Sequence, residues 1–186
     1  MRLIIISDTH GSLSAWKRVE TFVKEADDAI HLGDVLYHGP RNPIPEGYNP
    51  GELANVLRET PLTFVRGNCD ADVDLMVLGR DDMPRRVLKS MGNLRVFCLH
   101  GDADLEKAVE LSIAEGWHVI AYGHTHIPEI RLLERGIYLF NPGSLSLPKG
   151  GHPPSFGEIE IDEDEFVLKI RNLHDLSVMF EERSKL

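Results

Sequence analysis

The sequence predicts an α/β fold in which two packed sheets are covered by helices. Three observations carry that expectation. Apolar, strand-like runs alternate with amphipathic helical stretches through the first half of the chain. The second half turns to paired strands around short polar turns, the pattern of antiparallel hairpins. Residues of metal-ligand type stand just past the apolar runs, and in open α/β sheets sites form outside the carboxyl ends of the strands.

In chain order, Leu3 to Ile6 is a continuous apolar run, as expected of a strand buried on both faces. Ser12 is placed to cap a helix through about residue 25, with Trp16, Val19, Phe22 and Val23 on one face. Ala29 to Leu32 is a short second strand. Gly51 to Glu59 reads as a helix with Leu53, Val56 and Leu57 inward, closed by Pro61, and Leu62 to Val65 as a third strand. Arg86 to Ser90 and Leu94 to Leu99 flank Met91-Gly92-Asn93, a hairpin signal. A helix from Asp104 to Glu115 and a strand from His118 to Tyr122 follow. Ile130 to Leu133 and Ile137 to Phe140 form a second hairpin around Glu134-Arg135-Gly136, and Phe156 to Ile161 and Phe166 to Ile170 a third around an acidic turn. No repeat, low-complexity segment or linker interrupts the 186 residues, so one domain spanning 1–186 is expected.

The bulk properties exclude several classes. A hydrophobic content of 42% is ordinary for a globular chain, and no apolar run approaches the roughly 18–20 residues of a membrane helix. The stretch after Met1-Arg2 stops at Asp8, too short for a signal sequence, so the cytoplasm is the expected compartment. Two cysteines make no disulfide framework. Cys98, inside Val96-Phe97-Cys98-Leu99, reads as a buried apolar residue, whereas Cys69 lies among polar residues. A net charge of −10 without a basic stripe argues against stable nucleic-acid binding and against an anionic membrane. An anionic substrate remains compatible where bound cations dominate the local field.

The chemistry is concentrated in five clusters: Asp8-Thr9-His10, Gly33-Asp34, Gly67-Asn68-Cys69-Asp70, His100-Gly101 and Gly123-His124-Thr125-His126. Asp8, His10, Asp34, Asn68, His100, His124 and His126 form a mixed oxygen and imidazole set, too many for one tetrahedral zinc. They suit two adjacent cations sharing a carboxylate, and mixed N/O ligation accepts Mn, Fe, Zn or Co. Residues i and i+2 point the same way on an extended backbone, so each of the pairs Asp8/His10 and His124/His126 is expected to face one cavity. His31, His118, His152 and His174 lack the pattern and are assigned structural or solvent roles.

These ordered motifs resemble the calcineurin-like metallophosphoesterases, and most nearly the small bacterial YfcE-type phosphodiesterases. The stretches Gly33 to Asn42, Pro45 to Tyr48, Asn141 to Ser144 and Pro148 to Gly151 share that likeness, which spans residues 1 to about 157. The resemblance implies a four-layer α/β/β/α sandwich of two mixed sheets. It implies two divalent metal ions per chain, manganese first and iron, zinc, nickel or cobalt as alternatives. Asp8, His10 and His126 then resemble the ligands of the first metal and Asn68, His100 and His124 those of the second, with Asp34 bridging.

Two divalent cations bring about four positive charges against the two carboxylates, so with a hydroxide about one net positive charge remains to favour a phosphate. The expected activity is a phosphodiesterase in which a dimetal-activated water or hydroxide attacks a small phosphoester. A phosphomonoesterase or nucleotide phosphatase on the same site is the alternative, and a non-catalytic metal-binding interaction module is a third reading. Many larger relatives of this family carry His where this chain has Cys69, and Asp102 stands where some place another His. Cys69, His38 and Arg41 are the expected substrate contacts, with Tyr48 and Lys149 as weaker cases. Self-association to a dimer or tetramer is left open.

Overall fold

The first predicted strand, β1 (Arg2–Ile6), sends alternate side chains into two different cores, and the layering of the molecule follows from that alternation. In the computed structural model, which describes residues 1–186, Ile4 and Ile6 pack against Trp16, Val19 and Leu53 on one side. Leu3 and Ile5 pack on the other side with Val96, Cys98, Ala121 and Phe140.

After β1 come α1 (Leu13–Glu25), β2 (Asp28–His31), α2 (Pro50–Arg58), β3 (Thr63–Phe64), α3 (Asp72–Leu78), β4 (Arg86–Met91) and β5 (Leu94–Leu99). Then follow α4 (Leu105–Glu115), β6 (Val119–Ala121), β7 (Glu129–Leu132), β8 (Tyr138–Asn141), β9 (Ser155–Ile161), β10 (Glu165–Asn172) and β11 (Val178–Lys185). The predicted cap holds: Ser12 Oγ accepts the N–H of Ala15 at 3.2 Å. Asn49 does the same for α2, accepting the N–H of Glu52 at 3.3 Å ahead of Pro50.

One sheet has the order β11-β10-β9-β1-β2-β3 and the other β4-β5-β6-β8-β7. Within the first, β1, β2 and β3 run parallel, while β9, β10 and β11 pair antiparallel. Within the second, β5, β6 and β8 run parallel, with β4 and β7 antiparallel at the edges. β5 alternates as β1 does: Val96 and Cys98 face the first sheet, while Phe97 and Leu99 face Ala108 of α4 and Trp117. Helices α1 to α3 thus cover one outer face and α4 the other, giving the four-layer α/β/β/α sandwich. No helix is long and apolar enough to cross a membrane.

Three elements differ from the sequence reading. The turn of helix α3 is absent from it because only Asp74 and Leu78 are buried, so no apolar face shows. Edge strand β11 is absent because it is largely exposed and polar, and its pairing with β10 decides its conformation. β3 has two residues in place of the expected four.

Phe140, fully buried, lies where the sheets approach, and its ring occupies the space a side chain at Gly157 of β9 would need. A Cβ there would stand 2.5 Å from Phe140 Cζ. Gly157→Ala is expected to lower unfolding free energy by about 1–3 kcal/mol, as overpacked core positions do. Urea denaturation checks this; an unchanged midpoint would mean that the sheets part without cost.

Candidate metal centre

Each predicted ligand follows the end of a parallel strand: Asp8 and His10 after β1, Asp34 after β2 and Asn68 after β3. His100 follows β5, and His124 and His126 follow β6. The backbone there is not the extended one expected from the i, i+2 alternation. Asp8 (φ 54°), His10 (φ 47°), Asp34 (φ 59°), His124 (φ 65°) and His126 (φ 61°) all adopt the left-handed conformation. Non-glycine residues rarely do so, and they persist where surrounding bonds over-determine them. Here the loop after β1 is laced to the loop after β2: Asp8 N–H to Gly33 O at 3.0 Å, His10 N–H to Asp34 O at 3.0 Å, and Gly11 N–H to Val35 O at 2.8 Å.

These loops aim acceptors at one another. The Nδ1–H of His10 donates to Tyr37 O at 2.8 Å, that of His100 to Leu32 O at 2.8 Å, and that of His126 to Leu147 O at 2.6 Å. A ring whose Nδ1 donates to a carbonyl presents, when neutral, a bare Nε2 lone pair. His10 Nε2 and His126 Nε2 lie 3.3 Å apart, with Asp8 Oδ1 3.2 Å from the latter and 3.7 Å from the former. Asp8 Oδ1 is buried and has no hydrogen-bond partner, while Oδ2 accepts from Ser7 Oγ at 2.6 Å and His124 N–H at 3.0 Å. Converging acceptors with no donor among them fit a cation. On the other side, His100 Nε2 stands 3.2 Å from Asn68 Oδ1 and 3.5 Å from Asp34 Oδ1. Asp34 Oδ2 faces the first group, 3.8 Å from His10 Nε2. The His124 ring lies 5.2 Å from that of His100.

Charge follows the same geometry. Burial opposes ionisation of Asp8, yet His126, His100 and His10 hold its carboxyl well below the usual range. Asp34 is likewise lowered, its burial outweighed by His100 and by the N–H of Cys69. Burial lowers His10 and His124, which keeps them neutral as ligation requires. At His100 burial is outweighed by Asp34, Asp8 and the Leu32 carbonyl, and the ring is pushed up to about 9.

Several supporting residues stand in the sequence motifs without a role assigned there. Asp70 is buried and accepts three backbone N–H groups: Asp34 at 2.8 Å, Val35 at 2.8 Å and Gly67 at 2.7 Å. It thereby ties the Asp34 loop to the Asn68 loop. Burial pushes its carboxyl up to about 6, against the amides that favour its charge. Asn141 at the end of β8 donates to Gly123 O at 2.9 Å and Thr125 Oγ1 at 3.0 Å, bracing the loop of His124 and His126. Ser144 Oγ donates to Asp8 O at 2.8 Å. Both stand in the Asn141 to Ser144 stretch, a signal the sequence carried without a role. Glycine is required at 67, where a Cβ would overlap Asp34 Oδ1, and at 123, where it would overlap Ser7 Oγ.

An open cavity of about 820 Å³ adjoins the centre, lined by Asn68, Cys69, His124 and His126 and walled by Arg41 and Lys149. Cys69 Sγ belongs to a group with His10 and Asp34 whose ligand atoms all lie within 4.8 Å of one another. The structure does not bring His38 to this wall: its ring stands edge-on between Tyr37 and Tyr48, 4.9 and 5.3 Å away. Tyr48 lines a neighbouring apolar groove of about 490 Å³. Asp102 turns outward to Arg85 at 3.3 Å. Cys98 is buried, and both cysteines are free. His31 is structural: Nδ1 accepts from Gly33 N–H at 3.1 Å and Nε2–H donates to Thr9 Oγ1 at 2.8 Å.

Comparison with known proteins bears on this arrangement. A model of the calcineurin-like phosphoesterase superfamily domain matches residues 1–164. Phosphodiesterase YfcE of Escherichia coli is 42% identical over 184 residues, 96% of each chain. Its solved structure superimposes with a TM-score of 0.82 at 36% identity, covering 98% of both chains. The probable metallophosphoesterase YsnB of Bacillus subtilis is 30% identical over 173 residues, 88% of this chain and 86% of that one. Vps29 of Entamoeba histolytica, solved with zinc, gives a TM-score of 0.67 over 100% of this chain and 99% of that one, at 21% identity, which shows the fold alone.

In the metal-free protein a raised His100 stabilises the fold fully below its unfolded value of 6.5, and that contribution is lost as pH rises through about 9. A cation must displace this proton. Calorimetric titration with Mn²⁺ at pH 7.5 in buffers of different ionisation enthalpy is expected to show release of the His100 proton in addition to that of any metal-bound water. His100→Gln should lower that release by about one proton per chain; a release undiminished in the variant would exclude His100 as a source.

Proposed function

The chain belongs to the calcineurin-like phosphoesterase superfamily, and on that premise we propose that it is a metal-dependent phosphodiesterase acting on small phosphoesters, built as one domain working in the cytoplasm. The observation that carries this reading is Asp34, whose two oxygens face two separate ligand groups, Oδ2 toward His10 and Oδ1 toward His100. Asp8, His10 and His126 would hold one divalent cation and Asn68, His100 and His124 a second, with Asp34 placed to serve both. Manganese is the first expectation, with iron, zinc, nickel and cobalt compatible with the same donors. Divalent cations bound there lower the pKa of water to about 7 and stabilise charge on phosphoryl oxygens.

The remaining work belongs to the chain. Carbonyl oxygens of Tyr37, Leu32 and Leu147 fix the ring orientations of His10, His100 and His126. Asp8 and Asp34 remain ionised inside the protein and keep the centre from excess positive charge. At the cavity mouth Cys69 holds its proton, because burial and then the Asp34 carboxylate push the thiol up to about 12. Such a thiol is a weaker acid than an imidazolium, so esters with leaving groups that depart without protonation are favoured, phenolic and phosphate-like ones among them.

Chelation is expected to abolish turnover of bis(para-nitrophenyl) phosphate and Mn²⁺ to restore it, with kcat/KM for this diester above that for para-nitrophenyl phosphate. Full activity in metal-free protein would end the catalytic reading, and a preference for the monoester would replace diesterase by monoesterase. Cys69→His is expected to raise alkyl relative to aryl diester turnover by at least about 100-fold, the lower range of acid catalysis. An unchanged alkyl-to-aryl ratio would sink the role given to Cys69.

A further inference from the structure

We propose that Arg41 and Lys149 form a subsite for a second phosphoryl group, so that this chain acts on diphosphate-linked diesters whose leaving group is itself a phosphate ester. The inference rests on the phosphodiesterase reading and narrows it.

The cavity beside the centre, about 820 Å³, is within the usual range for ligand pockets and far exceeds what one phosphate fills. Arg41 and Lys149 are the cationic side chains on its wall, and neither makes an ion pair with the protein. The arginines nearby are engaged: Arg66 with Asp72 at 2.7 Å, Arg85 with Asp102 at 3.3 Å and Arg86 with Asp104 at 3.6 Å. The acids on the same wall, Asp34 and Asp70, are buried, and both Asp70 oxygens are taken by backbone N–H groups. Two free cations therefore face one cavity in a chain whose net charge is −10.

Their mounts are tied to the centre. Lys149 N–H donates to His126 O at 3.0 Å, on the metal-ligand loop itself. Asn42 Nδ2 donates to His38 O at 2.9 Å and closes the Arg41 loop. Gly39 of that loop packs so near Cys69 that an added Cβ would lie 3.1 Å from Sγ. With both cations and a hydroxide in place, the centre carries about one positive charge, which one diester anion neutralises. Arg41 and Lys149 add charge that this anion leaves unmatched, and a second phosphoryl group supplies the complement.

The reaction balances without a co-reactant other than water. A hydroxide oxygen bonds to the scissile phosphorus, the P–O bond to the second phosphate breaks, and the electron pair departs on that phosphate. The hydroxide proton is lost to solvent, and the products are two phosphate monoesters. Arg41 and Lys149, on the wall of the cavity that adjoins the centre, are the groups this proposal assigns to the charge that develops on the departing phosphate.

The test compares a dinucleoside diphosphate with bis(para-nitrophenyl) phosphate in Mn²⁺-loaded wild type, Arg41→Gln, Lys149→Gln and the double variant. The ratio of kcat/KM for the diphosphate to that for the aryl diester is expected to fall about tenfold for each cation removed, the scale of one charge-assisted hydrogen bond. Binding of the methylene-bridged dinucleoside analogue, measured by calorimetry, should weaken in parallel. A ratio unchanged in the double variant, or wild type that cleaves the aryl diester and ignores the diphosphate, would overturn the subsite. Should wild type cleave neither ester, the phosphodiesterase reading fails by itself and analogue binding decides the subsite: weaker binding in the double variant supports it, equal binding refutes it.

Discussion

The structure depends on a cluster of buried acceptors that no protein donor satisfies. His10 Nε2, His126 Nε2 and Asp8 Oδ1 meet within 3.7 Å at the common end of two sheets. Each imidazole has its other nitrogen tied to a carbonyl, so a neutral ring cannot turn its lone pair into a donor. Unpaired buried polar groups are costly, and a cation is the group that matches all three at once. The left-handed backbone at five of the seven ligand positions follows from the same requirement. Strain of about 1–3 kcal/mol at such residues persists only in a rigid setting. The inter-sheet core around Phe140, Ile5 and Cys98 supplies that rigidity, because interiors packed like crystals do not yield locally.

What was legible in the sequence divides along physical lines. β1 was legible because a strand buried on both faces must be apolar throughout, and α1 because Trp16 and Val19 recur at helical spacing ahead of a Ser12 cap. The ligand set was legible from residue type and order. α3 and β11 were not, since each is largely exposed and is fixed by contacts with distant segments. The conformation of Asp8-x-His10 was misread for a related reason. Alternation in sequence suggests an extended strand, but hydrogen bonds to Gly33, Asp34 and Val35 past the strand end impose left-handed turns. Asp70 and Asn141 were given no role because a side chain that braces a loop, by accepting from amides at Asp70 and by donating to Gly123 O and Thr125 Oγ1 at Asn141, carries no spacing signature of its own.

An acidic chain can present a cationic site because its charges are spatially segregated. Glu158, Glu160, Glu165 and the Asp162 turn belong to β9, β10 and their connection, whereas the centre lies past the ends of β1, β2 and β6. Several of those acids are paired locally: Glu158 with Arg171 at 2.6 Å, Glu160 with Lys169 at 2.6 Å and Glu165 with Arg183. At physiological salt, exposed charges are screened beyond roughly 8 Å, so net charge says little about the field inside a distant cavity. The local inventory of Asp8, Asp34, Arg41, Lys149 and the bound cations decides it.

Selection among phosphoesters then falls to the walls, because a pair of divalent cations treats one phosphate much like another. The loops that build the walls are attached to the centre through main-chain atoms and through serine and histidine side chains, but not through the side chains of Arg41 or Lys149. His126 bonds to Leu147 O, Lys149 N–H bonds to His126 O, and Ser144 and Ser146 reach the carbonyls of Asp8 and Thr9. Lys149 is held by its own N–H, which fixes where it stands without specifying which side chain it carries. Arg41 and Lys149 can therefore differ in identity while Asp8, Asp34 and the histidines stay in register. Cys69 is the exception, for its own N–H donates to Asp34 Oδ1 at 2.8 Å while its thiol faces the cavity. That one residue joins the metal cage to the leaving-group side, and a change of side chain there alters the chemistry without altering the amide that holds Asp34.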